Sequence, residues 1–119
     1  MEVTGNITKE DVTFFLDMIG SIKRPNYNIG DLKPYYKILD QRDSENFKRF
    51  IKIYIFSRDF LSDREKVILN EAYGVNEKRL TLKAIGEKLN IGPQRVSQIR
   101  AEAERKITLK LSKIMKHES

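Results

Sequence analysis

The sequence of 119 residues predicts an all-α fold: a small helical domain with a C-terminal helix-turn-helix and additional N-terminal helices. Three observations lead there. Apolar residues recur at every third or fourth position over most of the chain. Helix-start signals, a side-chain oxygen followed by acids, precede those stripes at Thr8, Asp43-Ser44-Glu45 and Ser62. Near the C-terminus a helical pattern stops at Asn90-Ile91-Gly92-Pro93 and resumes at once.

The first helix starts at Thr8-Lys9-Glu10-Asp11, where Thr8 caps and the acids complement the helix dipole. Val12, Phe15, Leu16 and Ile19 follow at helical spacing, with Ile22 near the end. Lys23 to Gly30 is a connection rich in breakers. Asp31-Leu32-Lys33-Pro34 opens a short helix through Tyr35, Ile38 and Leu39. The next helix carries Phe47, Phe50, Ile51, Tyr54 and Ile55. Ser62-Asp63-Arg64-Glu65 is a capping box for a helix through Val67, Ile68, Leu69 and Ala72, and Gly74 ends it. No alternating strand pattern competes with these helices, and no repeat or low-complexity tract is present.

The Phe47–Ile55 stripe is interleaved with Lys48, Arg49 and Lys52, a mixture that can stack on single-stranded bases. Aromatic residues at helical spacing are ordinarily core, and that reading is preferred here and for Phe14, Phe15 and Met18. Both stripes are wide for so small a body. Part of them therefore has a protein partner as its alternative.

Thr81 caps a helix from about Leu82 to Leu89. Ile85 and Leu89 share a face, with Gly86 between them where a second helix crosses closely. Asn90 tolerates the left-handed conformation that leaves a helix, and Pro93 suits the first turn of a new one. Val96 and Ile99 then pack back on Ile85 and Leu89. This is helix-turn-helix geometry, in which the second helix presents its N-terminal half to a duplex major groove. Gln94, Arg95, Ser97, Gln98 and Ala101 remain on its outer face, with Arg100 at the flank. Gln pairs with adenine and Arg with guanine through two hydrogen bonds each. Arg79, Lys83, Lys88, Arg105 and Lys106 are placed to meet phosphates. The plain alternative is a helical hairpin with a polar outer face.

Charge agrees with the DNA reading. Residues 1–76 hold twelve basic and twelve acidic residues, whereas residues 77–119 hold eleven and five, so the net charge of +6 lies in the C-terminal third. A basic part beside a neutral part suggests a polyanionic partner. The absence of cysteine excludes disulfides and thiolate metal sites and fits a reducing compartment. One histidine near the C-terminus, no phosphate-cradling glycine loop and no paired carboxylates argue against an enzyme. No cofactor or metal is expected. No membrane-length apolar run or signal peptide is evident, and a cytoplasmic protein is expected.

The stretches "FLSDREKVILNEAYGV" and "LTLKAIGEKLNIGPQRVSQIRAEAERKI" resemble region four of bacterial sigma factors over about residues 60–107. The resemblance implies binding to the upstream (minus thirty-five) promoter element and docking on the flap of the RNA polymerase β subunit. Carried over by position, it implies that Thr81 and Leu82 hold phosphate, that Arg95 and Gln98 approach bases, and that Arg105 and Lys106 lie along the backbone. The chain departs from the family at Pro93, Gln94, Ser97 and Arg100. Those changes fall on the reading surface while the scaffold positions are kept. They imply a different DNA sequence or weaker base discrimination.

Residues 1–59 are read as an N-terminal helical segment with a partner surface, and residues 60–119 as the DNA-binding domain with an extended C-terminal helix. The first part is short for the promoter-melting region of a complete sigma factor and has no tryptophan. The expected DNA-binding residues are Thr81, Leu82, Lys83, Gln94, Arg95, Ser97, Gln98, Arg100, Arg105 and Lys106. The expected role is a transcription regulator acting with RNA polymerase on double-stranded promoter DNA, as a split sigma factor or a region-four-like activator. A second protein would supply promoter melting. The alternatives are a free-standing dimeric helix-turn-helix regulator, and a module that binds polymerase or an anti-sigma protein without reading DNA. Beyond Lys106, Ile107, Leu111 and Ile114 continue the pattern, either as a seam for a partner or as packing on the N-terminal helices.

Overall fold

The computed structural model describes residues 2–4, 7–20 and 33–118, with side chains described at 7–20 and 33–115. Ile22 and the breaker-rich connection at 23–30 lie outside the described residues, as do Asp31 and Leu32.

The order of elements is β1 (Glu2–Thr4), β2 (Ile7–Thr8), α1 (Lys9–Ile19), a 3₁₀ turn (Pro34–Lys37), α2 (Glu45–Ser57), α3 (Asp63–Tyr73), α4 (Leu82–Leu89) and α5 (Pro93–Glu118). The all-α class holds, with one small correction. β1 and β2 pair as an antiparallel hairpin, which the sequence did not announce. Strands of three and two residues are too short to display a two-residue alternation.

The helix starts follow local chemistry. The Thr8 hydroxyl accepts from the Asp11 amide while Asp11 accepts from the Thr8 amide, each at 3.1 Å. Ser62 and Glu65 form the same reciprocal pair at the start of α3. Gly20 and Gly74 close α1 and α3 with φ of 79° and 75°. At Gly74 a side chain is doubly barred, because an added Cβ would also stand 2.8 Å from the Arg79 amide. The short helix expected through Tyr35, Ile38 and Leu39 is a 3₁₀ turn that Pro34 opens and that ends at Lys37.

One buried cluster joins the two parts of the chain. Phe15 of α1 stacks on Phe50 of α2 at 4.7 Å, and the Tyr73 ring of α3 meets Phe50, Tyr35 and Tyr54 edge-on at 5.0–5.2 Å. The aromatic stripes are therefore core at Phe15, Phe47, Phe50 and Tyr54, while Ile55 stays 41% exposed. Ile107 and Leu111 of α5 are completely buried in this cluster. α1 and α2 both pack on α5. The apolar continuation beyond Lys106 is thus spent on the protein's own N-terminal helices.

Candidate nucleic-acid interface

α4 and α5 meet through the turn that the sequence indicated. Asn90 takes φ 60° and ψ 42°, and the Ile91 amide donates to the Gly86 carbonyl at 2.9 Å, closing the end of α4. The chain then leaves at a new angle, with Pro93 the first residue of α5. Gly86 is required because of this closure. A Cβ there would stand 2.5 Å from the Ile91 carbonyl oxygen and 3.4 Å from Val96. Ile85, Val96 and Ile99 are buried, so both helices are fixed against the core from the inner side.

The outer side of α5 is left to solvent. Gln94, Arg95, Gln98 and Ala101 are exposed, and Ser97 is half-buried. Arg95 Nη1 lies 3.4 Å from Gln98 Oε1, so the two side chains stand together one turn apart. At the start of α4, the Thr81 hydroxyl accepts from the Ala84 amide at 3.1 Å. Lys83 beside it is exposed and Leu82 half-buried. The unpaired first amides of α4, with Lys83, make a positive edge next to the α5 face.

Several cations read as phosphate contacts are tied to carboxylates instead. Lys106 Nζ sits 2.8 Å from Glu65, whose side chain is 8% exposed. Burial alone would raise the Glu65 carboxyl, but the bonds from Lys106 and the Ser62 amide hold it below its ordinary range. Arg79 forks onto Asp40 at 2.9 and 3.0 Å, Lys88 meets Glu71 at 2.6 Å, and Arg105 meets Glu102 at 2.8 Å. Of the exposed cations expected at DNA on α4 and α5, Lys83 and Arg95 have no carboxylate partner among the described residues.

Arg100 needs a larger correction. It turns away from the reading face, and its Nη1 donates to the Tyr36 hydroxyl at 2.7 Å. The side chain lies beside buried Glu104, which accepts hydrogen bonds from the Tyr35 and Tyr73 hydroxyls at 2.7 and 2.5 Å. Burial and the Glu104 charge together raise both tyrosine hydroxyls above their ordinary range, so they stay protonated donors. Arg100 therefore acts inside the fold, where it balances a buried carboxylate.

The interface also contains a residue that was read only as part of a helix start. Exposed Arg64, in the first turn of α3, lines a polar groove of about 400 Å³ with Arg95, Gln98, Glu102 and Lys106. Its place beside α5 depends on how α3 crosses α5 and has no local sequence signal.

A comparison with protein families matches residues 59–108 to the family described as Sigma-70, region 4. This segment is similar to sigma region four. The region four match begins just ahead of α3 and ends inside α5, so α3, the turn and the exposed Arg95–Gln98 face all lie within it. β1, β2, α1, the 3₁₀ turn, all of α2 and the last turns of α5 lie outside it. No curated protein and no solved structure matches the chain. The likeness is to a DNA-binding, transcription-regulating family and covers residues 59–108 of the 119. No helix among the described residues is long and apolar enough to cross a membrane.

Proposed function

We propose that the chain is a transcription regulator that reads double-stranded promoter DNA through α5 and acts with bacterial RNA polymerase. In this role it is half of a split sigma factor or an activator that takes the region four place. The observation that carries the reading is the exposed pair Arg95 and Gln98. Both stand on the first turns of a helix that is braced from behind by Val96, Ile99 and Ile85. A rigid helix with two long polar side chains one turn apart meets the geometric requirement for base recognition in the major groove.

Gln94, Arg95, Ser97 and Gln98 read bases. Thr81, Leu82 and Lys83 hold phosphate at the start of α4, and Arg64 holds it on the opposite side of α5. Arg105 and Lys106 are supporting residues whose charge is largely met by Glu102 and Glu65. The family match supports the polymerase partner, and the N-terminal helices supply a further protein surface. Residues 1–59 serve as this partner segment and residues 60–119 as the DNA-binding domain, although they share one core.

Pull-down of purified core polymerase, repeated with the isolated β-subunit flap, tests the reading. Retention of both supports a sigma-like role. A chain that binds promoter DNA, dimerises and ignores polymerase is instead a free-standing regulator. The buried state of Ile107 and Leu111 weighs against that alternative, since the seam that would serve a dimer is already covered.

A further inference from the structure

α2 carries a groove that the described residues leave open. It is lined by apolar Ile7, Phe47, Ile51, Ile55 and Phe56 and by the two lysines Lys48 and Lys52, and it encloses about 500 Å³. Ile55, one of the lining residues, is 41% exposed. We propose that this groove docks an acidic amphipathic helix of a partner protein. The proposal deepens the N-terminal partner surface described above and rests on that part of the proposed function alone.

Charge selects the occupant. Lys52 has no carboxylate partner among the described residues, and Lys48 reaches Glu45 only at 4.0 Å, with both side chains largely exposed. Arg49, on the same helix, is already paired with Asp11 at 2.7 Å. The two lining lysines are one helical turn apart, so a guest helix with acids at the same spacing meets both. From Phe47 to Phe56 the lining runs about 14 Å, which accommodates about three turns of a guest helix. Apolar anchors spaced by three and four residues would then lie along Ile51, Ile55 and Phe56.

The other occupants fit less well. A second copy meeting this face across a two-fold axis would set Lys48 and Lys52 against their own counterparts. Single-stranded nucleic acid requires open aromatic faces. Phe47, however, is only 5% exposed, with the Arg42 guanidinium 5.2 Å from its ring centre.

The test is a titration of the isotope-labelled full chain, followed by amide NMR signals. The probe is a designed helical peptide with leucines at positions i, i+3, i+4 and i+7 and glutamates elsewhere. Its partner probe carries lysines in place of the glutamates. The acidic peptide should shift signals from Phe47 to Phe56 and bind about tenfold tighter than the lysine peptide. Ile55→Glu should abolish the shifts, and Lys48→Glu with Lys52→Glu should reverse the charge preference. Both changes are at exposed sites, and DNA binding should be unchanged, so a failure here is separable from a failure of DNA reading. Equal binding of the two peptides, or shifts confined to the Arg95–Gln98 face, overturns the proposal. So does self-association that Ile55→Glu abolishes in sedimentation equilibrium, or an oligothymidine that shifts the α2 signals in place of the acidic peptide.

Discussion

Arg100 Nη1 donates a 2.7 Å hydrogen bond to the hydroxyl of Tyr36, joining α5 to the 3₁₀ turn 64 residues earlier in the chain. Tyr36 is itself covered by the Arg79 guanidinium, 5.3 Å from its ring centre. The neighbouring Tyr35 hydroxyl reaches Glu104, one turn further along α5. The setting of α5 is therefore fixed partly by residues outside the region four match.

Arg100 should accordingly behave as a stability residue. Arg100→Met leaves Glu104 without its nearby cation and should lower stability by about 2 kcal/mol, a fall of roughly 5–10 °C in melting temperature. The dependence of DNA affinity on salt should keep its slope, whereas loss of a phosphate contact would reduce that slope by about one. Calorimetry and binding isotherms across salt concentrations measure the two effects separately.

The two tyrosine donors to Glu104 should be coupled. Tyr35→Phe and Tyr73→Phe each remove a hydrogen bond to a buried carboxylate and should each cost about 2 kcal/mol in urea denaturation. Because both hydroxyls meet the same Oε2, the double variant should depart from the sum of the single costs. Simple additivity would mean that the carboxylate does not hold them as one unit.

Gly86→Ala should be far more damaging than its position in a helix implies. In an open helix, alanine stabilises relative to glycine by about 1 kcal/mol. Here the added methyl meets a backbone carbonyl in the turn, so α4 and α5 must separate. We expect a loss of about 2–3 kcal/mol, together with weakened DNA binding. A more stable protein with unchanged affinity would show that the turn yields easily.

Acid should weaken the fold through its paired carboxylates. Burial raises Glu65 and Asp11, but bonds from Lys106 and Ser62 in one case, and from Arg49 and Thr8 in the other, leave both below their ordinary values. Asp40 is lowered chiefly by its hydrogen bond from Arg79. A carboxyl whose folded value is depressed stabilises fully above its unfolded value, near pH 4, and loses that contribution as pH falls further. The melting temperature should therefore hold from pH 7 to about 5 and decline below that. Glu65→Gln should lower the plateau and flatten the decline.

Local signals made most of the helices legible. Thr8, Ser44, Ser62 and Thr81 each cap the helix that begins just after them, and Asn90 and Gly74 take the left-handed conformations that their types allow. The exposed face at Gln94, Arg95 and Gln98 was legible because its apolar opposite, Val96 and Ile99, shows which way α5 turns. Arg100 was not legible. It lies on the border between those faces, and the group that draws it inward, Tyr36, is distant in sequence. The pairing of Lys106 with Glu65, and of Arg79 with Asp40, likewise depends on helices crossing in space. Charge counts could register those cations but could not show that they were already partnered.

The central claim concerns Arg95 and Gln98, and equilibrium binding to duplex DNA tests it most directly. The full chain is presented with duplexes selected from a random pool, and Arg95→Ala with Gln98→Ala is measured on the same duplexes over a range of salt. The native chain should bind a defined sequence, with affinity that falls steeply as salt rises. The double variant should lose about 2–4 kcal/mol together with its base preference, while retaining its melting temperature. Undiminished affinity and unchanged base preference in that variant would contradict the assignment of α5 as the helix that reads DNA.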